Sequence, residues 1–247
     1  MIKKFKNIND APLALLKLTD SQIIDYIRCP NYFYFKYVSQ IPIDSQPTFH
    51  ELIARVINAY MARLMDGNIM TMRQAKKMWD DLAEEYPLVL TDKKVLDGFG
   101  YINQIDRYCR QNKVIIADVD SEYQVNFKDN VIVTGKTGII RYNNNKLELF
   151  IPETSQKIPD DFLLNMSVKL SLKTYAIEKT SDCTLSGIHV YHIKTGKELF
   201  STRGKRDSQR IEDLIKNISF SIRNEIFYPR EDYLCSQCKF KIYCGYH

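Results

Sequence analysis

The segment SEYQVNFKDNVIVTGKTGIIRYNNNKLELFI, residues 121–151, alternates apolar and polar side chains along most of its length. A period of two marks strands with one buried face. Asp129-Asn130 and Asn143–Asn145 interrupt the alternation with residues suited to tight turns. Residues 114–151 therefore predict a meander of three or four strands.

Working outward, a helix is expected at about 161–180, starting beside Pro159, Asp160 and Asp161. SGIHVYHI (186–193) and KELFST (197–202) read as two strands around a turn at Lys194–Lys197. Ile211, Leu214, Ile215, Ile218 and Ile222 then form the apolar face of a last helix. On the N-terminal side the pattern is helical. Thr19 followed by Gln22 is a capping-box pair that starts a helix near Asp20, with Ile23, Ile24 and Ile27 as its apolar face. Pro30 ends that helix or begins another. NYFYFKYV (31–38) is dense in aromatics and reads as strand by propensity. HELIARVINAYMARLM (50–65) and residues 72–112 have helical spacing. The order of helices, strands, helix, strands and helix predicts a mixed α/β (α+β) fold, a sheet flanked by helices with a helical N-terminal part.

The chain has 247 residues, of which 45% are hydrophobic and 26% charged, as in ordinary globular domains. We read it as one domain: a mainly helical part at 1–113, a core at 114–228 and a tail at 229–247. Net charge is +5, from 35 basic against 30 acidic residues, which permits nucleic-acid binding without demanding it. No apolar run approaches the ~18 residues of a membrane span. The opening MIKKFKNINDAPLALLKLTD lacks the continuous apolar stretch of a signal peptide. The expected location is cytoplasmic, in a cell or an infected host.

Six cysteines occur, at 29, 109, 183, 235, 238 and 244. The number is too low for a secreted disulfide scaffold, and clustered thiols in a reducing compartment point to metal. Cys109 and Cys183 stand alone and are expected to pack in the core. CSQCKFKIYCGYH (235–247) spaces three thiols as C-x2-C-x5-C. A fourth ligand is needed. Cys29 is the best candidate, and His247 would complete a Cys3His zinc site instead. Zinc and iron–sulfur both accept four thiolates, and spacing leaves the choice open.

SQIIDYIRCPNYFYFKYV (21–38) and FYPREDYLCSQCKFKIYC (227–244) together resemble the RecB-like branch of the PD-(D/E)XK nuclease superfamily that carries a four-cysteine iron–sulfur cluster. The AddB nuclease domain and the CRISPR-associated iron–sulfur exonucleases are in this branch. The first stretch is similar to the family's helix leading to Cys-Pro and aromatics. The second is similar to its C-terminal signature, with Pro229 ahead of C-x2-C-x5-C. The resemblance implies a restriction-endonuclease-like core sheet. It also implies that Cys29, Cys235, Cys238 and Cys244 ligate one [4Fe–4S] cluster tying the N-terminal part to the C-terminus.

It further implies a hairpin in which carboxylates hold Mg²⁺ or Mn²⁺ beside a lysine. Here VIVTGKTGIIRYNNNKLELFIPETSQK (131–157) aligns with that hairpin. Gly135 matches the leading glycine, and the first aspartate position is Gly138. Glu153 is the candidate second acid, yet Ser155 stands where the lysine belongs. If Pro152 is the acid position, Thr154 replaces the lysine, and Lys157 lies two residues too far along. On the next helix Tyr175 matches a DNA-binding tyrosine, with Ser171 in place of glutamine. A helix register centred on Val56–Asn58 lacks the family's histidine, and His50 reads as a surface residue at a helix start. Glu122 and Glu148 are expected to be solvated or hairpin-flanking.

GKT at 135–137 fails as a P-loop, because Asn130 stands where its first glycine belongs. His189 and His192 fall on opposite faces of a strand and are poor co-ligands. Arg203, Lys205, Arg206 and Arg210 could contact phosphates from a loop. Residues 32–37 are expected to pack around the cluster rather than stack on bases. The leading expectation is an inactive RecB-like iron–sulfur protein. It would be a DNA-binding or scaffolding subunit with protein partners in replication, recombination, repair or a viral nucleoprotein assembly. One alternative is an active Mg²⁺- or Mn²⁺-dependent DNA exonuclease with migrated residues, Glu122, Glu153 and Lys157 among them. Another is a protein-interaction module without nucleic-acid contact.

Overall fold

In the computed structural model, described over residues 13–43, 48–86, 90–155, 157–158, 160–181 and 183–245, Thr19 serves two elements. It ends strand β1 (Leu16–Thr19) and caps helix α1 (Asp20–Arg28). Its hydroxyl accepts from the Gln22 N–H at 3.1 Å, while the Gln22 side chain accepts from the Thr19 N–H at 2.7 Å. The expected capping box is therefore formed. Cys29 breaks the helix with an extended backbone, and Pro30 opens the short helix α2 (Pro30–Phe33). The expected strand at 31–38 is not one. The chain continues from α2 into a π-helical turn at Tyr34–Val38. The aromatics that raise strand propensity are instead used by one face: Phe33 is buried and Tyr37 packs beside it.

Three helices follow: α3 (Phe49–Met65), α4 (Met72–Glu84) and α5 (Asp92–Gln111). They close a core of Leu52, Ile53, Val56, Trp79, Ile102 and Ile105 against the sheet residues Ile139 and Phe150. Residues 114–151 form five strands rather than one meander: β2 (Ile115–Val119), β3 (Glu122–Phe127), β4 (Val131–Lys136), β5 (Ile139–Asn143) and β6 (Lys146–Glu153). They divide between two sheets. β3 and β4 form an antiparallel pair at Asp129-Asn130, both at positive φ, and β1 adds in parallel to β4. The second sheet has the order β2-β5-β6-β7-β8, with β7 (Leu185–His192) and β8 (Lys197–Ser201).

The helix expected at 161–180 is broken at Ser167, giving α6 (Asp161–Met166) and α7 (Val168–Thr180). Ser167 caps α7, its hydroxyl accepting from the Leu170 N–H at 3.4 Å. These helices cross from β6 to the parallel strand β7. α8 (Lys205–Arg223) then packs Ile211, Ile215 and Ile218 on the first sheet and α7. A 3-10 turn at Tyr233–Gln237 and helix α9 (Lys241–Cys244) carry the last cysteines. The result is the expected mixed α/β class, with two mixed sheets flanked by helices. Among the described residues no helix is long and apolar enough to cross a membrane. Residues 1–12, Pro159 and His247, which entered the sequence reading, lie outside the described residues.

Candidate functional site

Cys29, Cys235, Cys238 and Cys244 line one cavity of about 30 Å³, in a wall shared with Arg28, Tyr32, Phe35, Arg230 and Phe240. All four are free thiols, and so are Cys109 and Cys183. The fold brings them together by local means. The break at Cys29 turns its side chain out of α1, and the 3-10 turn presents Cys235. Tyr32 and Phe35 lie against Phe240, with ring centroids at 5.1 and 5.6 Å. Three sulfurs accept N–H donors. The Arg230 amide reaches Cys29 at 3.4 Å, Asn31 Nδ2 reaches Cys244 at 3.4 Å, and the Asp232 amide reaches Cys235 at 3.5 Å. Among the described residues, no three His, Cys, Asp or Glu side chains converge on one ion position. Cys109 is buried, as expected, and Cys183 is half-buried against the core beneath α7.

A second cavity, of about 420 Å³, lies between α3, β6 and α7. Asn58, Asp120, Gly138, Glu153, Lys169 and Lys173 line it. Gly138 sits at φ +84, where a side chain is strained, and it offers no ligand. Glu153 Oε1 accepts from the Ser155 N–H at 2.8 Å. Lys157 is exposed, outside that lining. Sequence reasoning missed Asp120. Its N–H bonds the Gly138 carbonyl at 2.8 Å, and its carboxylate accepts from Asn58 Nδ2 at 2.5 Å. It missed Lys173 as well, whose Nζ donates to the Lys136 carbonyl and lies 3.9 Å from where a Gly138 Cβ would be. Burial lowers the Lys173 pKa, Asp20 opposes that shift, and Lys169 adds to it.

The other sequence candidates are dispersed. Tyr175 is buried on the opposite side of α7, stacked on Phe127 and donating to Glu212 at 2.9 Å. Arg203 is spent inside the fold, donating to Ser171 Oγ at 2.7 Å, Ser201 Oγ at 2.5 Å, and the Leu164 and Thr202 carbonyls. Lys205, Arg206 and Arg210 are exposed, but they belong to the first turns of α8 rather than to a loop. Glu122 is exposed, as expected. Glu148 is a correction: it is 5% exposed and paired with Arg141 at 3.1 Å across the β5–β6 hairpin. His189 lies between Glu198, at 2.7 Å, and Glu148, at 3.9 Å. His192 is buried separately, against Thr195 and the Ser155 carbonyl. His50 is exposed in the first turn of α3.

No family model matches the chain, and no curated protein matches it. A solved structure described as the crystal structure of SSO0001 is similar over 97% of this chain and 89% of its own, at 11% identity and a TM-score of 0.46. At that level the likeness leaves the function to the geometry.

Proposed function

We propose that the chain is a RecB-like iron–sulfur protein that binds DNA as a non-catalytic or scaffolding subunit of a DNA-processing assembly. The observation that carries the reading is the set of four free thiols on one cavity wall, drawn from both ends of the described chain. The donors fit a thiolate-bound cluster: soft sulfur ligands, N–H groups aimed at three of them, and Arg28 and Arg230 beside the negative charge. When bound, the cluster supplies a cross-link between α1–α2 and the tail. Gly138, Thr154 and Ser155 support the non-catalytic part, since none offers the carboxylate or lysine of metal-dependent hydrolysis.

Anaerobic purification followed by iron, sulfide and zinc analysis tests the cluster. Brown protein with about equal iron and sulfide is expected, and stoichiometric zinc without iron would overturn it. Fluorescence anisotropy on labelled oligonucleotides tests the second part. Binding that weakens as salt rises is expected, and no binding at low salt would favour the protein-interaction module.

A second reading is favoured by one observation: Asp120, Glu153 and Lys173 share a cavity. Two carboxylates and a lysine from new positions could support Mg²⁺- or Mn²⁺-dependent cleavage. Cleavage of DNA that disappears in both Asp120→Asn and Glu153→Ala would replace the non-catalytic reading with this one.

A further inference from the structure

The tail that carries Cys235, Cys238 and Cys244 has little of its own to stand on. α9 is 4 residues long and buries no side chain, and a helix of that length is not stable alone. Tyr233 and Ile242 are 85% and 83% exposed. Phe240, between Cys238 and Cys244, plugs the tail into the fold, buried against Tyr32 and Phe35. It fixes α9 at its start. A further contact has to fix Cys244 at its end.

Asn31 supplies that contact. Its side-chain amide donates to Cys244 Sγ at 3.4 Å, across 213 positions of sequence. Its main-chain N–H donates to the Tyr228 carbonyl at 3.2 Å. A single residue of α2 thus grips the tail ahead of its first cysteine and again at its last. Pro30 opens α2, and the Phe33 N–H bonds the Cys29 carbonyl at 3.1 Å, which closes the turn around Asn31. The exchange is reciprocal, because the Arg230 amide of the tail donates to Cys29 Sγ at 3.4 Å. Every residue but proline keeps a main-chain N–H. A side-chain substitution at 31 therefore removes the sulfur contact and leaves the bond to Tyr228.

We infer that Asn31 is the positioning residue for Cys244. Its amide sets that sulfur at the cavity in the metal-free chain and stays a donor to it when metal is bound. Partners of this kind orient a ligand and tune the metal. An N–H donor on a ligand sulfur favours the reduced, more negative form of a cluster, so it raises the reduction potential. The effect on potential rests on the iron–sulfur reading above, whereas the hold on Cys244 does not.

The test compares the wild-type chain with Asn31→Leu, which is close in size and has no donor, and Asn31→Gln, which keeps one. Urea midpoints check that each variant folds, and Asn31→Ala stands in if the leucine variant does not. Cobalt(II) is titrated into each metal-free, reduced chain and followed by its sulfur-to-metal charge-transfer absorption. Asn31→Leu should bind cobalt about 10-fold more weakly than the wild type, and Asn31→Gln should recover part of the loss. In protein purified with its cluster, dithionite delivers one electron per cluster, and the midpoint potential of Asn31→Leu should lie below that of the wild type. Equal cobalt affinities in the wild type and Asn31→Leu, or equal potentials, overturn the inference and leave the cluster reading standing. If the wild type binds cobalt with the expected contrast but holds no iron or sulfide, the hold on Cys244 stands and the cluster reading falls. A wild type that takes up neither cobalt nor iron refutes both.

Discussion

At Gly138 the backbone itself opposes a carboxylate. Its φ of +84 is a conformation that L side chains rarely adopt. Gly138→Asp is expected to cost about 1 kcal/mol or more and to create no nuclease, because the strained side chain would also meet the Lys173 ammonium. A lower urea midpoint and unchanged DNA in a Mg²⁺ assay would check this. The Arg141–Glu148 pair gives a sharper test. Both side chains are almost fully buried, and Asn143 also donates to Glu148, at 3.0 Å. Arg141→Met leaves a buried charge unpaired and should cost about 3–5 kcal/mol, while adding Glu148→Leu should recover most of it. Denaturant unfolding of the two variants measures both effects. This pair was not readable from sequence. Glu148 sits in a polar–apolar alternation like its exposed neighbours, and only the hairpin register brings Arg141 opposite it.

Among the elements, α7 shows how a boundary decides what can be seen. Drawn as one helix over 161–180, the segment places Lys169 and Lys173 in mid-helix, where two lysines are unremarkable. The break at Ser167 puts Lys169 in the first turn of α7 and Lys173 in the second. The signal was present as a serine that can cap followed by a turn without acids. The opposite case is α1, whose start at Asp20 followed from Thr19 and Gln22 because a capping box is made within four residues. The π-helical turn at Tyr34–Val38 failed in the other direction: aromatic propensity suggested a strand, but contacts with Phe227 and Phe240 over 180 residues away decided the outcome. Arg203 was misjudged for the same reason, its partners lying on α6, α7 and β8.

β7 and β8 carry a pH response. Burial, with Arg141 nearby, holds the His189 pKa below its usual value in the folded chain, against the pull of Glu198 and Glu148. The unfolded chain then takes up the proton first, near pH 6.5. The stabilising contribution is complete above that pH and is lost as pH falls through it toward the folded pKa. Urea midpoints measured from pH 7.5 to 5 should decline on the acid side, and His189→Asn should remove part of that slope.

For the molecule as a whole, contacts other than the cysteines tie the two ends of the described chain together. β1 pairs with β4, Tyr26 donates to the Ile226 carbonyl at 2.7 Å, and the Asn31 amide bonds the Tyr228 carbonyl at 3.2 Å. Cys29→Ser should therefore release the proposed cluster without unfolding the protein. Amide exchange should rise in residues 226–245 and across α1–α2 and stay low in the core of α3–α5. Exchange that rose everywhere would show the clasp to be a condition of folding rather than a local tie. The mixed α/β class was legible from periodicity alone, because strand and helix periods are local. The division of the strands into two sheets was not, since β1 reaches β4 across more than a hundred residues.

The proposed clasp would also set an order of events during synthesis. Cys29 emerges 206 residues before Cys235 (235 − 29). Until the tail follows, Tyr32, Phe33 and Phe35 have no Phe227 or Phe240 to cover them, and the cavity has a single thiol. A nascent chain thus displays an uncovered aromatic face beside a lone thiol for most of its translation.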